Sequence, residues 1–291
     1  MGEAMNAKVV ACANMKGGVG KSTVALSFAE GTAHLGQGRL RVLVIDTDLQ
    51  LNASTILVRD LDGGEPWRQG KTVEDYLRQR AAGQCPKAMS LVHYVDENVQ
   101  LLSAKLTLVN FERSLLSRDR PTTMVRNDIS AWFGECLSQL REHYQLIIVD
   151  TPPGLSLLAE CALQLADLVV IPTVPNRLSS AGIETYAKYI TDELGLVDVG
   201  TKSTVLINMK PTPATRTSEK WIEQIKAEAG ADSFPYKLFD TQYGMRDGYR
   251  RGTEIERPAN FQRAWGTVAD PILAATRELW SFLDAPLHQR G

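Results

Sequence analysis

The stretch that decides the fold is Lys16-Gly17-Gly18-Val19-Gly20-Lys21-Ser22-Thr23. Its glycines allow successive backbone N–H groups to point into one concave space without a clash from a Cβ atom, which suits them to surround phosphate oxygens. We expect the second lysine to reach the β- and γ-phosphates of a nucleotide and the serine hydroxyl to bind Mg²⁺. Thr23 stands in the first turn of a helix, where negative charge is favoured, and is expected to donate to the α-phosphate.

The residues on either side of this turn indicate a strand before it and a helix after it. The apolar run at 9–13 has the form of a short buried strand, and the apolar residues at 24–33 suit a packed helix. Strand, glycine-rich turn and helix is the setting that a phosphate-binding loop requires. A strict G-x-x-x-x-G-K-[ST] pattern would need glycine in place of Met15, so the loop is a variant of that motif. The alternative is a glycine-rich turn that contains lysine by chance.

Lys-Gly-Gly-x-Gly-Lys-Ser-Thr resembles the deviant Walker A motif of the ParA/MinD family of ATPases. In that family the first lysine crosses a dimer interface and contacts the nucleotide held by the partner subunit, and Lys16 is the matching position. The resemblance implies ATP and Mg²⁺ as cofactors, a homodimer when ATP is bound, and catalytic roles for Lys16 and Lys21. It implies that the nucleotide is held by Gly17, Gly18, Val19, Gly20, Lys21, Ser22 and Thr23.

Two carboxylates follow the apolar run at 42–45. Asp46 and Asp48 stand at i and i+2, so both point the same way if the strand geometry persists. The family's pattern here is D-x-D-P-Q-x-N, with Leu49 replacing the proline. The resemblance implies that Asp46 lies in the metal shell with Ser22, and that Asp48 activates the water that attacks the γ-phosphate. The alternative is a common acidic turn after a strand.

Two further strand ends carry candidate site residues. Four apolar residues at 146–149 precede Asp150, which is the form of a Walker B strand whose carboxylate holds Mg²⁺. The following Thr-Pro-Pro-Gly also resembles the family, in which this segment responds to the γ-phosphate. Asn208 ends another apolar run, and its donor and acceptor suit an adenine edge. The alternative for Asn208 is a turn residue after a strand.

The chain alternates between predicted strands and helices. We expect strands at 8–13, 40–45, 99–103, 146–150, 168–172 and 203–208 and a weaker one near 235–239, and helices at 21–35, 72–81, 123–142, 156–166, 179–194, 216–229 and 261–283. Continuous apolar strands are typical of a parallel sheet covered on both faces. The prediction is an α/β fold, a three-layer α-β-α sandwich around a twisted, mostly parallel sheet of the P-loop NTPase type. We expect one domain over 1–291, with an irregular surface excursion at about 60–98.

The composition is that of an ordinary soluble chain. It has 291 residues, 44% of them hydrophobic and 23% charged, with a formal net charge of −2. No apolar run is long enough to cross a membrane, and the first residues lack the pattern of a signal peptide. The four cysteines lack metal-binding spacing and indicate reduced thiols in the cytoplasm. The net charge argues against a nucleic-acid field over the whole chain but allows a local basic patch.

Family members bind DNA or a membrane when ATP is bound. The C-terminal segment here has acidic neighbours and a single basic residue, so Trp280, Phe282 and Leu283 are interpreted as the end of a docked helix and no membrane anchor is expected. The resemblance implies sequence-independent DNA binding by basic residues in the last third of the chain, where Arg246, Arg250 and Arg251 lie close together. A solvated face of mixed charge is the alternative for these arginines.

The sequence therefore predicts a short ParA-type ATPase without an N-terminal helix-turn-helix domain. We expect slow ATP hydrolysis stimulated by a ParB-like or other cargo-adaptor protein, association with the nucleoid, and segregation or positioning of a plasmid, a chromosome region or a protein cargo. The main alternative is a MinD-like membrane-associated positioning ATPase. A reductase like the nitrogenase iron protein, a bacterial tyrosine kinase of related fold and a scaffold without catalysis are the other readings.

Overall fold

The apolar runs of the sequence form the strands of one central sheet. The computed structural model describes residues 6–58, 65–116, 120–154, 156–196, 201–229, 236–256 and 258–285. Its strands lie in the order β3-β4-β2-β5-β1-β6-β7-β8, and all neighbours are parallel except β3 and β4. Their bounds are β1 (Lys8–Cys12), β2 (Val42–Asp46), β3 (His93–Tyr94), β4 (Val99–Leu102), β5 (Leu146–Asp150), β6 (Leu168–Thr173), β7 (Ser203–Ile207) and β8 (Lys237–Leu238).

Helices cover both faces of the sheet. They are α1 (Lys21–Leu35), α2 (Asn52–Leu57), α3 (Val73–Ala81), α4 (Leu108–Leu115), α5 (Thr122–Arg141), α6 (Leu157–Leu165), α7 (Arg177–Lys188), α8 (Arg216–Glu228), α9 (Asp247–Arg251), α10 (Phe261–Trp265) and α11 (Ala269–Phe282). Short 3₁₀ turns lie at Ala88–Leu91 and Gly266–Val268, and a π-helical turn lies at Tyr189–Glu193.

Alternate residues of the central strands enter two separate cores. In β2, Leu43 and Ile45 pack with α3, α5 and α6, whereas Val42 and Val44 pack with α1 and α11. Every residue of this strand is buried, because both faces are covered. The three-layer α/β fold with a mostly parallel sheet is therefore confirmed.

The structure corrects several details of the sequence-based assignment. The helix expected at 261–283 is interrupted, since Gly266 has a φ of +53° and separates α10 from α11. Helices α2, α4 and α9 and strand β3 were not predicted. The segment at about 60–98 is not only a surface excursion, because Tyr76 and Leu77 of α3 are fully buried in the core. Residues 59–64 of that segment lie outside the described residues.

The end of the last helix is docked on α1. Trp280 and Leu283 are buried, and the Trp280 indole N–H donates to Thr32 Oγ1 over 3.1 Å. The ring of Phe282 packs edge-on against Phe239. The interpretation of this segment as a docked helix is confirmed. Among the helices that the described ranges contain, none combines the length and the apolar character that crossing a membrane requires.

Candidate nucleotide and magnesium site

The glycine-rich turn connects β1 to α1 and has the backbone conformation that only glycine adopts easily. Gly18 and Gly20 have φ values of +73° and +86°, in the left-handed region. Gly20 is also the residue before the first turn of α1. The loop therefore presents its backbone N–H groups at a helix N-terminus, which is a favourable place for phosphate oxygens.

A pocket of about 330 Å³ opens beside this loop. Its walls come from the loop, from the segment after β2, from α2 and from the segment after β5. Its lining residues are Gly17, Gly18, Gly20, Lys21, Ser22, Thr23, Asp48, Gln50, Asn52, Ile56, Pro153 and Thr253. The volume lies within the ordinary range of small-molecule sites. The predicted loop residues other than Lys16 and Val19 thus meet Asp48 in one cavity, as their positions at the carboxyl ends of parallel strands require.

The two lysines of the loop occupy different surroundings. Lys21 is buried, and its ammonium donates to the Lys16 carbonyl over 3.0 Å. Burial lowers the pKa of Lys21, while the carboxylates of Asp150 and Asp48 act in the opposite direction. The Lys16 ammonium is buried without a hydrogen-bond partner among the described residues. It lies on α7, where a Cβ atom built on Gly182 would stand 3.2 Å from it.

The two carboxylates at the end of β2 lie in different surroundings, one buried and one at the pocket. Asp46 is fully buried, and its two oxygens accept hydrogen bonds from the N–H of Asp48 over 2.9 Å and from the N–H and hydroxyl of Ser54 over 2.8 and 2.7 Å. Burial is the main cause that raises the pKa of Asp46 to about 6. Asp48 faces the pocket and accepts the N–H of Gln50 over 3.0 Å. Asp46 therefore holds the turn that presents Asp48, and its place in the metal shell stays a prediction.

Asp150 is the carboxylate that fits a metal ion. Both of its oxygens are buried and accept no well-formed hydrogen bond within the described ranges. Burial raises the pKa of Asp150 well above its ordinary value, the Asp46 carboxylate adds to the increase, and the nearby Ser22 hydroxyl acts in the opposite direction. A buried carboxylate without a donor, next to a hydroxyl, is a suitable partial ligand set for Mg²⁺. The described residues contain no cluster of three or more His, Cys, Asp or Glu side chains arranged for a metal. Mg²⁺ in phosphate-binding sites usually keeps several waters and is bound by one or two carboxylates together with substrate phosphates.

Asn208 lies directly behind the phosphate-binding loop. Its side-chain N–H donates to the Val19 carbonyl over 2.8 Å, and its side-chain oxygen accepts the N–H of Met209 over 2.9 Å. A Cβ atom on Gly20 would stand only 2.3 Å from the Asn208 nitrogen. Asn208 thus positions the loop, and its contact with adenine stays a prediction.

Several pocket residues escaped the sequence analysis. Gln50 and Asn52 belong to the acidic motif that was recognised, but they were not assigned to the pocket. Thr253 belongs to no motif and reaches the pocket only because the chain folds back after α9. The local sign in the sequence is the pair Gly248 and Gly252, four residues apart, which allows the backbone before Thr253 to pack closely against Trp265.

The three arginines proposed for DNA are exposed on and beside α9. Arg246 precedes the helix, and Arg250 and Arg251 belong to its last turn. Arg250 pairs with Glu254 over 2.9 Å and lies 3.5 Å from Asp247. Both ion pairs are exposed, so they oppose phosphate binding only weakly.

Comparison with known proteins shows which family the chain belongs to. The family model AAA_31, described as an AAA domain, matches residues 7–194, which is more than half of the chain. The chain belongs to this family. It is similar to the chromosome-partitioning ATPase Soj of Thermus thermophilus, with 35% identity over 182 residues that cover 62% of this chain and 60% of Soj. It is also similar to a ParA family protein of Mycoplasma genitalium, with 28% identity over 226 residues that cover 76% of this chain and 78% of the relative.

The predicted membership of the ParA/MinD family is confirmed in the form of a ParA-type P-loop ATPase. The match spans little more than half of some relatives, such as 56% of a Pseudomonas putida protein that is 35% identical over 166 residues covering 57% of this chain. Among solved structures, the ATP complex of a Cyanothece McdA variant aligns with a TM-score of 0.72 over 98% of this chain and 99% of that one. At 17% identity, this likeness shows the fold alone.

Proposed function

We propose that this protein is a slow ATP hydrolase whose ATP-bound form is a homodimer that binds DNA without sequence preference and positions a cargo. The observation that carries the proposal is the cavity in which Lys21, Ser22 and Asp48 face one another beside the buried Asp150 carboxylate. This set suits phosphoryl transfer, in which the protein positions water and neutralises charge and does little covalent work. The sequence similarity to the chromosome-partitioning ATPase Soj supports the same activity.

Each residue has one task in the proposed reaction. The loop N–H groups and the Lys21 ammonium would bind the β- and γ-phosphates, and Ser22 and Asp150 would hold Mg²⁺. Mg²⁺, when bound, supplies positive charge that offsets the charge on the phosphate oxygens. Asp48 orients the attacking water, and the Asp46 carboxylate fixes the turn that carries Asp48.

Dimerisation is proposed from the family resemblance, in which Lys16 matches a lysine that contacts the nucleotide of the partner subunit. Leu106, after β4, and Leu178, in the first turn of α7, are 67% and 75% exposed at the same edge of the sheet as the nucleotide pocket. Single exposed apolar side chains are ordinary on a protein surface, so these two leucines do not by themselves indicate a partner. A second copy on this face would bring the partner's signature lysine toward the nucleotide, as the family resemblance implies for Lys16.

The ATPase proposal is tested by phosphate release at several protein concentrations. We expect a rate per subunit that rises with concentration, because a dimer is required. Lys21→Ala is expected to abolish nucleotide binding, Asp48→Ala to retain binding but lose hydrolysis, and Lys16→Ala to lose the concentration dependence. A rate per subunit that is independent of concentration in the native protein and unchanged in K16A would exclude the dimer mechanism.

Co-sedimentation with DNA and with anionic liposomes tests whether the protein binds DNA or a membrane. Each experiment is done with ATP, with ADP and without nucleotide. We expect ATP-dependent retention on DNA that weakens steeply with salt, because phosphate contacts release counterions. A basic adaptor protein of the ParB type is expected to increase both hydrolysis and release. ATP-dependent retention on liposomes instead of DNA would favour the MinD-like alternative.

A further inference from the structure

A residue outside every recognised motif joins the nucleotide pocket to the arginine-bearing helix. Thr253 lines the pocket and lies two residues after the end of α9. The same short helix carries Arg250 and Arg251 in its last turn. Thr253 is therefore only two residues from Arg251 and three residues from Arg250 along the chain.

The hydroxyl of Thr253 closes the C-terminal end of α9. Its Oγ1 donates to the carbonyls of Arg250 over 3.0 Å and of Tyr249 over 3.2 Å, and the Thr253 N–H donates to the Arg250 carbonyl over 3.1 Å. A threonine hydroxyl has one proton and two lone pairs. A ligand that attracts this proton competes with the carbonyls of the last turn, whereas a ligand that donates to the hydroxyl reinforces the cap.

The opposite side of α9 is fixed to the rest of the domain. Cβ atoms built on Gly248 and Gly252 would stand 2.9 Å from the Trp265 carbonyl and 2.2 Å from the Trp265 ring, so the helix backbone lies directly on this residue. The Trp265 indole N–H in turn donates to Glu30 of α1 over 2.8 Å.

A second contact runs to the same helix α1. Tyr249 stacks on Tyr243 with ring centroids 4.7 Å apart, and the Tyr243 hydroxyl lies 3.2 Å from the Ser27 hydroxyl. Since the backbone of α9 is held at these points, the Thr253 side chain at the pocket is the group through which a ligand there would act on the last turn of the helix.

We propose that Thr253 is a nucleotide contact that links occupation of the pocket to the conformation of the last turn of α9, and thereby to the placement of Arg250 and Arg251. The inference rests on the proposed nucleotide binding. The ligand class is a nucleoside triphosphate, whose oxygens offer acceptors to the Thr253 hydroxyl. The residue is a positioning residue for DNA binding, since it acts through α9 and not by touching DNA.

The inference is tested by hydrogen exchange with a non-hydrolysable ATP analogue and Mg²⁺. We expect the analogue to change exchange both at the loop, 17–23, and at 247–253. In Thr253→Val, which keeps the shape but lacks the hydroxyl, the change at 247–253 is lost, the change at the loop remains, and the analogue binds about three- to tenfold more weakly, the effect of one hydrogen bond. Thr253→Ser, which retains the hydroxyl, is the matched control and is expected to restore the change at 247–253.

The outcomes separate this inference from the proposed function. A change at the loop without one at 247–253 in the native protein, or a T253V variant that behaves like the native protein, overturns the role of Thr253 and leaves nucleotide binding intact. No change at the loop at saturating analogue overturns the proposed function itself, and the inference with it.

The link to DNA has its own readout. Fluorescence anisotropy with a labelled duplex measures how much the analogue increases DNA affinity, and T253V is expected to lose at least about threefold of that gain. Arg250→Ala combined with Arg251→Ala is expected to lose DNA affinity while keeping the exchange response at 247–253. An undiminished gain in T253V overturns the connection between the pocket and the arginines.

Discussion

The variants Gly20→Ala and Gly18→Ala differ in a clash with Asn208, so the difference between their stabilities measures how much Asn208 stabilises the loop. Both glycines have left-handed backbones, with φ values of +86° and +73°. A Cβ atom on Gly20 would stand 2.3 Å from the Asn208 side-chain nitrogen, whereas one on Gly18 meets nothing within 4 Å. Gly20→Ala therefore combines backbone strain with a clash, and Gly18→Ala has the strain alone.

The magnitudes follow from these two contributions. The left-handed conformation costs alanine about 1–2 kcal/mol. The smaller entropy of the unfolded chain returns about 0.4–1 kcal/mol, and both variants share these two effects. Gly20→Ala must also displace Asn208, which breaks its hydrogen bond to the Val19 carbonyl and leaves buried polar groups unpaired, at a further cost of about 1–3 kcal/mol. We expect G20A to be less stable than G18A by that last amount.

The assay is urea unfolding of the free protein, followed by circular dichroism, for both single variants and for a cycle that adds Asn208→Ala. Alanine at 208 makes room for the new Cβ atom, so G20A in that background is expected to cost at least about 1 kcal/mol less than in the native background. Equal stabilities of G20A and G18A, or a cycle that is additive within about 0.5 kcal/mol, would falsify the role of Asn208 as a support of the loop.

The same variant separates the two roles considered for Asn208. A residue that only supports the loop affects every nucleotide alike, whereas a residue that hydrogen-bonds the base discriminates between bases because it leaves unpaired groups with the wrong one. If Asn208 only supports the loop, N208A weakens the binding of ATP and GTP by the same factor. A loss that is confined to ATP would instead establish the adenine contact.

Three further changes test the buried charges and the packing. Burial raises the pKa of Glu112, which accepts the Leu158 N–H over 3.0 Å. The native protein therefore loses stability as the pH rises from the ordinary pKa of 4.5 through the raised one. Glu112→Gln is expected to be more stable than the native protein at pH 8 but not at low pH, as urea titrations at both pH values will show. Asp150→Asn removes a buried carboxylate whose pKa is raised by burial, so it is expected to stabilise the free protein at pH 8. It is also expected to abolish the Mg²⁺-dependent thermal shift with ATP, and a persisting shift would contradict the metal assignment. Trp265→Phe loses the hydrogen bond to Glu30 and is expected to cost about 1–2 kcal/mol by chemical unfolding, whereas an unchanged stability would show that this bond contributes nothing.

The sheet and the phosphate-binding loop were predictable because each is encoded locally. Strands covered on both faces are written as unbroken apolar runs, such as Leu146–Val149, and their boundaries were correct to within one or two residues. The loop requires glycine at Gly18 and Gly20 for its backbone, so its chemistry appears in a few adjacent letters. Asp48 follows β2 and Asp150 is the last residue of β5, and because these two strands are neighbours in the sheet, both carboxylates lie at one edge.

The elements that the sequence did not reveal depend on tertiary contacts. Helix α9 has five residues, one of them glycine, and it is stabilised by its contact with Trp265 and not by intrinsic propensity. The break between α10 and α11 depends on the positive φ of Gly266, which single-sequence periodicity does not reveal. Thr253 lines the pocket although it is distant in sequence from every other lining residue, so no pattern of adjacent residues marks it.

Lys16 shows why the position of a signature residue does not follow from its motif. In the single chain its ammonium is buried on α7 without an acceptor among the described residues, and burial lowers its pKa. Such a position is unfavourable for a charged group, because the lost hydration is not replaced. Lys21 meanwhile uses its own ammonium to bind the Lys16 carbonyl, so a phosphate that attracts Lys21 also removes a contact that holds the backbone of Lys16. We therefore expect an anionic nucleotide to attract the Lys16 ammonium away from α7 and to weaken the contact between the Lys16 carbonyl and Lys21. The loss of concentration dependence in K16A tests whether this lysine acts across a dimer interface.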